Sequence, residues 1–131
     1  MKAVIDTDVL IDFLRGVPAA KKELTRYADR CVSLISWMEV MSGTDTVAEE
    51  RQCRNFLMQF RVIVIGPEIA EQAVILRRDH HLKLPDALIW ATAQHEGCLL
   101  VTRNTKDFGS QTPGIRIPYK LSVSRSAATE A

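Results

Sequence analysis

The sequence predicts a single α/β domain, built on a central parallel sheet of four to five strands flanked by helices. Short apolar runs alternate along the chain with longer segments of helical periodicity, as they do in strand–helix–strand units. The first apolar run, in residues 2–6, lacks the polar–apolar alternation of a half-exposed strand, which indicates burial on both faces. The 131 residues suffice for one domain with its own core.

The strands are predicted from five apolar segments, taken in order along the chain. They are residues 2–6, 31–35, 62–65 and 98–102, with a short fifth strand near 115–117. Their separations leave room for helical crossovers, which parallel strands require.

Helices are predicted between these strands, with ends marked by capping and helix-breaking residues. The first helical region follows the first strand, is interrupted at residues 16–18, where glycine and proline disfavour a helix, and resumes to about Tyr27. A short helix is expected from Ser36 to Gly43. The later helices are started by a Thr46–Glu49 capping box, by Pro67 and by Pro85, and the last of them ends at Gly97.

Composition and charge exclude several classes of protein. Apolar residues make up 47% and charged residues 25%, an ordinary balance for a soluble globular domain. The 17 basic residues nearly equal the 16 acidic ones, so nucleic-acid binding would depend on local basic patches and not on net charge. The chain has no apolar run of membrane-spanning length and no signal segment, which predicts a cytoplasmic protein with no membrane partner.

The cysteines and the C-terminal residues also bear on the class of protein. The three cysteines are widely spaced, which favours buried free thiols over a zinc site or a disulfide framework. The domain is predicted to span residues 1–119. Residues 120–131 are mostly small, polar and aperiodic, and are predicted to form a flexible tail.

Several acidic or amide side chains follow the ends of predicted strands. Asp6 closes the first strand, and Glu39 lies one helical turn after the second. Asp86 is in the first turn of the helix that leads into the fourth strand, and Asn104 and Asp107 follow that strand. Because ligands bind at the carboxyl ends of parallel strands, we expect these side chains to lie close together.

Each acid alone has a purely structural explanation. Asp6 could cap the first helix, Ser36 and Glu39 could form a capping box, Asp86 could complement a helix dipole, and Asp107 could be a turn residue. Together, however, these carboxylates would repel one another unless a divalent cation lay among them. Oxygen ligands without His or Cys favour Mg²⁺ or Mn²⁺ over zinc, and such a site suits phosphodiester hydrolysis.

Four segments have an order and spacing typical of one protein family. They are IDTDVL at 5–10, ISWMEV at 35–40, LPDALIWATA at 84–93 and LVTRNTKDF at 100–108. On these segments the chain, from Met1 to about Tyr119, resembles the PIN-domain nucleases and, within them, the VapC-type toxins of bacterial toxin–antitoxin pairs. The resemblance implies a parallel sheet flanked by helices, with Mg²⁺ or Mn²⁺ held between acids.

The resemblance also implies roles for individual residues. Asp6, Glu39 and Asp86 match the three main acidic positions of the family, and Thr7 matches a hydroxyl position in the same site. Asn104 stands where many members have a fourth acid.

Two residues near these positions adjust the implied site. Asp107 is expected to compensate for the missing fourth acid, directly or through water. Asp8 replaces a more usual Asn and adds a carboxylate nearby.

The activity implied by the resemblance is endonucleolytic cleavage of RNA, whether transfer, ribosomal or messenger RNA, with inhibition of translation. The resemblance further implies a homodimer and a hetero-oligomer with a small VapB-type antitoxin, which silences the toxin and often inserts a basic side chain into the acidic site. Such an insertion is electrostatically favourable at this cluster of acids.

RNA binding also requires positive charge around the acids. Arg15, Arg103 and Lys106 are the candidates for phosphate contacts, with solvated surface charge as the alternative for each. Lys83 is expected to be only a solubilising charge.

Two other functions stay open at this point. Asp6-Thr7-Asp8 after an apolar strand also suits a phosphatase of the haloacid-dehalogenase type, with Asp6 as nucleophile, although no later Lys and paired-acid segment is evident. Asn104 permits a catalytically degenerate PIN domain that acts only as a binding partner.

Overall fold

The fold contains one five-stranded sheet in which every strand pairing is parallel. A computed structural model describes residues 1–109 and 111–121, so most of the predicted tail lies outside the described residues. The strands are β1 (Lys2–Ile5), β2 (Asp29–Ser33), β3 (Arg61–Ile63), β4 (Leu99–Val101) and β5 (Ile115–Arg116). The predicted α/β class and parallel sheet are confirmed.

Six helices cover the sheet in the described part of the chain. They are α1 (Thr7–Leu14), α2 (Pro18–Leu24), α3 (Leu34–Ser42), α4 (Val47–Leu57), α5 (Pro67–His80) and α6 (Leu84–Glu96). The predicted Thr46–Glu49 capping box starts α4, and Gly97 ends α6 in the left-handed conformation, with φ 65°. The first helical region is interrupted where predicted, but α2 ends at Leu24 and does not reach Tyr27.

The junction of β2 and α3 differs from the prediction by two residues. β2 runs from Asp29 to Ser33, and Ser33 pairs with Ile63 of β3, so the strand ends at Ser33 and not at residue 35. The Ser33 side chain then caps α3 by accepting a 3.1 Å hydrogen bond from the Ile35 backbone N–H. The expected helix start at Ser36, with Glu39 as its capping-box partner, is therefore wrong, because the earlier serine takes the cap.

The sheet separates two layers of helices. Successive side chains of a strand point to opposite faces, and β1 accordingly contributes Val4 to one core and Ala3 and Ile5 to the other. α5 and α6 cover the Val4 face, and α1, α2, α3 and α4 cover the opposite face.

The strand order β3-β2-β1-β4-β5 places a topological switch at β1. The chain passes outwards from β1 through β2 to β3, and then returns to the other side of β1 as β4. A crevice is expected at the carboxyl ends of the strands at such a point.

Two further predictions concern cysteines and membranes. All three cysteines are free thiols, with Cys31 buried and Cys53 and Cys98 half-buried. No helix in the described ranges is long and apolar enough to span a bilayer.

Candidate active site

Asp6 lies at the carboxyl end of β1 and is held at three points. Its backbone N–H donates a 2.9 Å hydrogen bond to the carbonyl of Val101. Its Oδ1 accepts a 2.7 Å bond from the Thr7 backbone N–H, so Asp6 does cap α1. Its Oδ2 accepts a 2.7 Å bond from the hydroxyl of Thr102. The residue is only 6% exposed, and its carboxylate has a fixed orientation with lone pairs remaining for a further ligand.

Glu39 extends from α3 towards the start of α1. The hydroxyl of Thr7 lies 2.6 Å from Glu39 Oε1 and donates to it, while the buried Ser36 Oγ lies 3.0 Å from the same hydroxyl. Ser36 and Glu39 thus point to the site from one face of α3, where they contribute to side-chain contacts and not to a helix cap.

Asp86 comes to the same place from the first turn of α6. Lys83 precedes this helix as its N-cap, and no side chain caps it. The cavity of about 400 Å³ at this edge of the sheet is lined by Asp6, Thr7, Asp8, Ile11, Glu39, Asp86 and Asn104. The structure therefore brings together the three acids that the sequence analysis selected.

Asn104 and Asp107 form a closed pair in the segment after β4. The Asn104 side-chain Nδ2 donates a 2.9 Å hydrogen bond to Asp107 Oδ2, and its Oδ1 accepts a 3.1 Å bond from the Asp107 backbone N–H. Both polar atoms of the Asn104 amide are thus used within the segment. Asp107 does not line the cavity, but its charge contributes to the raised pKa of Asp86.

The carboxylates at this edge disfavour one another's ionisation. Burial and then the charge of Asp8 raise the pKa of Asp6 to about 7, against the opposing hydrogen bonds from Thr102 and Thr7. Burial also raises the pKa of Asp86, and the charges of Asp107 and Glu39 add to that rise. A positive charge bound among these groups would remove much of this repulsion.

Asp8 supplies a buried oxygen with no partner. Its Oδ2 accepts hydrogen bonds from the Arg103 backbone N–H at 3.1 Å and from the Thr102 hydroxyl at 3.4 Å. Its Oδ1 is buried and, among the described residues, has no hydrogen-bond partner. Such an atom is costly unless something binds it.

The donor set fits a hard divalent cation. It consists of carboxylate, hydroxyl and amide oxygens, which Mg²⁺ and Mn²⁺ prefer. Within residues 1–109 and 111–121, no three His, Cys, Asp or Glu side chains are already close enough to hold a metal ion. A bound cation would therefore have to draw the carboxylates inwards from the positions described above.

The predicted phosphate contacts occupy three different settings. Arg15 is exposed at the end of α1, in a groove that also includes Glu39. Lys106 is exposed in the segment after β4. The guanidinium of Arg103 instead forms two hydrogen bonds with Asp12, from Nε at 2.7 Å and from NH2 at 3.2 Å.

Three polar residues of this region have contacts that the sequence did not indicate: Thr102 was assigned no role, Ser36 was considered only as a helix cap, and Lys83 only as a solubilising charge. Thr102 and Ser36 are fully buried and hold Asp6 and Thr7, respectively. Lys83 is exposed, and its charge opposes the rise in the pKa of Asp86 that burial and the neighbouring acids cause. The available signal was position, since Thr102 follows β4 as Asp6 follows β1, and these two strands are neighbours.

Comparison with known proteins agrees with this geometry. The family model of the PIN domain matches residues 3–110. This chain belongs to the PIN-domain family. The match favours a PIN domain over the haloacid-dehalogenase alternative, and all the residues that line the acidic cavity lie within the matched region.

Two relatives of this PIN domain are a VapC ribonuclease and a chain of a toxin–antitoxin complex. The domain is 36% identical over 113 residues to Ribonuclease VapC10 of Mycobacterium tuberculosis. The aligned region covers 80% of this chain and 84% of that protein. A toxin–antitoxin complex from Klebsiella pneumoniae contains a chain that is 45% identical, with a TM-score of 0.86 over 92% of this chain and 100% of that one.

A more distant relative supports the fold alone. DNA-bound VapBC from Salmonella typhimurium is 24% identical, with a TM-score of 0.74 over 89% of this PIN domain and 96% of that chain. Ribonuclease VapC10 and the chain of the Klebsiella complex, which are more similar in sequence, confirm the VapC type that the sequence motifs indicated.

Proposed function

We propose that this chain is a divalent-metal-dependent endoribonuclease, the toxin of a toxin–antitoxin pair, which cuts RNA and thereby inhibits translation. The observation that carries the proposal is the cavity at the switch point of the sheet, lined by Asp6, Glu39 and Asp86. The M. tuberculosis relative named as a ribonuclease supports the reaction class.

The residues that would hold Mg²⁺ or Mn²⁺ are Asp6, Glu39 and Asp86, with Asp107 in place of the missing fourth acid. The cation, when bound, supplies Lewis-acid polarisation of the phosphodiester. The chain supplies the alignment of the ligands. Thr102 orients Asp6 and Thr7 orients Glu39 through short hydrogen bonds, and such supporting contacts commonly decide the affinity of a metal site.

The RNA would reach this acidic cavity between exposed basic side chains. Arg15 and Lys106 are proposed phosphate contacts, and Lys83 joins them because it lies beside Asp86. Phosphate contacts of this kind fix position and register without reading sequence. Mapping of cut sites after induced expression would identify the RNA that is cut, whether transfer, ribosomal or messenger RNA.

The proposed partner is a small antitoxin of the VapB type, in a hetero-oligomer built on a toxin homodimer in the cytoplasm. The Klebsiella structure, described as a toxin–antitoxin complex, supports this partner class. A basic side chain of the antitoxin is favoured in the cavity for the same electrostatic reason as a metal ion. Neighbouring carboxylates help to raise the pKa of Asp6 and of Asp86, and a positive charge among them would relieve that repulsion.

The function is tested by metal binding and RNA cleavage in parallel. Calorimetric titration with Mn²⁺ and cleavage of bulk transfer and ribosomal RNA with Mg²⁺ are measured for the wild type, Asp6→Asn and Asp79→Asn. Asp79 is exposed on α5 and provides the matched control. We expect binding and cleavage in the wild type and in Asp79→Asn, and neither in Asp6→Asn.

Two results would contradict the proposal. Cleavage that continues in excess EDTA would exclude metal dependence, and wild-type cleavage by Asp6→Asn would exclude this site. Folded wild-type protein that binds no Mn²⁺ or Mg²⁺ at millimolar concentration would instead favour the degenerate PIN domain, the second candidate that the amide at Asn104 permits.

A further inference from the structure

A buried ion pair lies next to the candidate site, and neither of its two residues is a proposed metal ligand. Asp12 on α1 is only 2% exposed. The Arg103 guanidinium donates to both of its oxygens, at 2.7 and 3.2 Å, and the hydroxyl of Tyr119 donates to Oδ2 at 2.7 Å. We call Asp12, Arg103 and Tyr119 the Asp12 cluster.

The Asp12 cluster leaves Arg103 poorly suited to binding phosphate. A carboxylate as buried as Asp12 requires a charged partner, and removal of that partner is strongly unfavourable. The two-point geometry is the one in which arginine binds a carboxylate most strongly. Burial raises the pKa of Asp8, and the charge of Arg103 opposes that rise, so the guanidinium partly compensates a second acid near Asp6.

Arg103 is attached to α1 through its backbone as well as its side chain. Its backbone N–H donates to Asp8 Oδ2 at 3.1 Å, and its guanidinium binds Asp12 one helical turn further along. Residues four apart lie on the same face of a helix. Arg103, the second residue after β4, is thus fixed to one face of α1 at two positions.

The residues on either side of Arg103 are those that contact the candidate ligands. Thr102 donates to Asp6, and its Oγ1 accepts a 3.1 Å bond from the Asn104 backbone N–H. Asn104 in turn binds Asp107. A shift of Arg103 would therefore move Thr102 and the Asn104–Asp107 pair together.

We propose that Arg103 is a positioning residue, which the Asp12 cluster holds in place so that residues 102–107 present Thr102, Asn104 and Asp107 to the acids. Its importance for catalysis rests on the proposed function, whereas its effect on the order of residues 102–107 does not. Tyr119 extends the same support to the chain beyond β5, since its hydroxyl completes the hydrogen bonding of Asp12.

The test compares Asp12→Asn and Arg103→Lys with the control Arg51→Gln, in which an exposed arginine of α4 is replaced. Lysine retains the charge of Arg103 but not the two-point geometry. Amide hydrogen exchange is followed residue by residue in metal-free protein, Mn²⁺ binding is measured by calorimetry, and affinity for a single-stranded RNA oligonucleotide is measured in EDTA.

In both cluster variants we expect the backbone amides at positions 103, 104 and 107 to exchange at least about tenfold faster, because their hydrogen bonds open locally. The amide of Asp6 should keep its protection. Mn²⁺ affinity should fall about 10- to 100-fold, as it does when residues that orient metal ligands are replaced. RNA affinity should stay within about twofold of the wild type, since no phosphate contact is lost.

Unchanged exchange of residues 102–107 in both variants would overturn the proposal. RNA affinity that falls in Arg103→Lys but not in Asp12→Asn would also overturn it and assign Arg103 to phosphate binding. If Asp12→Asn does not fold, Arg103→Lys and Tyr119→Phe decide by the same measurements. Failure of the wild type to bind Mn²⁺ would contradict the proposed function alone, because the exchange rates still test the positioning role.

Discussion

The hydroxyl of Thr7 donates a 2.6 Å hydrogen bond to Oε1 of Glu39, a residue 32 positions further along the chain. Glu39 is exposed, so this bond restrains a side chain that would otherwise sample many rotamers. The first residue of α1 thereby fixes the one acid of the cavity that comes from α3.

Replacement of Thr7 by Val should therefore weaken the site without changing the fold. Val keeps the branched shape of the side chain but cannot donate to Glu39, and the loss of an orienting contact is expected to reduce Mn²⁺ affinity and RNA cleavage about 10- to 100-fold. Thr7→Ser retains the hydroxyl and should stay close to the wild type. Equal activity of Thr7→Val and the wild type would show that Glu39 needs no such support.

The acids of the cavity were predictable because their positions follow from the periodicity of the sequence. Asp6 follows the buried strand β1, and Asp86 lies in the first turn of the helix that leads into the neighbouring strand β4. A parallel sheet brings both residues to the same edge. An error of two residues at β2 did not affect this result. Glu39 lies within α3 whether that helix begins at Leu34 or at Ser36.

The supporting contacts were not predictable, because each depends on a partner far away in the chain. Arg103 and Asp12 are 91 positions apart, and Thr102 and Asp6 are 96. Nothing in the residues around Arg103 distinguishes a phosphate contact from an ion pair; the buried position of Asp12 does so. The choice of Ser33 over Ser36 as the helix cap also depended on where β2 ends.

Thr102→Val should destabilise the protein as well as the site. The hydroxyl of Thr102 donates to Asp6 Oδ2 and accepts from the Asn104 N–H, so Val leaves one buried acceptor and one donor without a partner. We expect the free energy of unfolding to fall by about 1–3 kcal/mol, measured by urea denaturation. Thr102→Ser is the matched control and should lose less than half as much; equal losses would assign the effect to packing.

Asn104 and Asp107 should respond differently to exchange of their side chains. In Asn104→Asp a carboxylate replaces the amide that now donates to Asp107 Oδ2 at 2.9 Å, so two acids come into contact and the segment should lose order in metal-free protein. In Asp107→Asn a carboxylate near Asp86 is removed. We expect Asp107→Asn to lower Mn²⁺ affinity about 10-fold or more, by calorimetry. Unchanged affinity would show that Asp107 is no substitute for the fourth acid.

Asp6→Asn should stabilise the metal-free protein above neutral pH. The pKa of Asp6 is raised from 3.8 to about 7, so the folded state retains its proton to higher pH than the unfolded state does. The stability that this group contributes is therefore present at low pH and is lost as pH rises from 3.8 to about 7. In EDTA at pH 8, Asp6→Asn should gain on the order of 2 kcal/mol in urea denaturation, and less at pH 5. A gain that is equal at both pH values would exclude ionisation of Asp6 as its cause.

The contact between α2 and β5 offers a test that is independent of the candidate site. Glu23 is only 5% exposed and accepts hydrogen bonds from Arg116 at 2.7 and 3.0 Å and from the hydroxyl of Tyr27 at 2.5 Å. Burial by itself raises the pKa of Glu23, but the bonds from Arg116 and Tyr27 outweigh burial and lower it below its ordinary value of 4.5.

A carboxyl with a lowered pKa contributes stability above its ordinary pKa, and this contribution is lost as pH falls through the lowered value. Glu23→Gln and Arg116→Gln should each reduce the free energy of unfolding at pH 7 by about 1–3 kcal/mol. The double variant should lose less than the sum, because the two residues share one interaction. In Glu23→Gln the loss of stability on acidification from pH 6 to pH 3 should be smaller than in the wild type. Urea denaturation at the two pH values measures both effects, and additive losses with an unchanged pH dependence would show that Glu23 and Arg116 act separately.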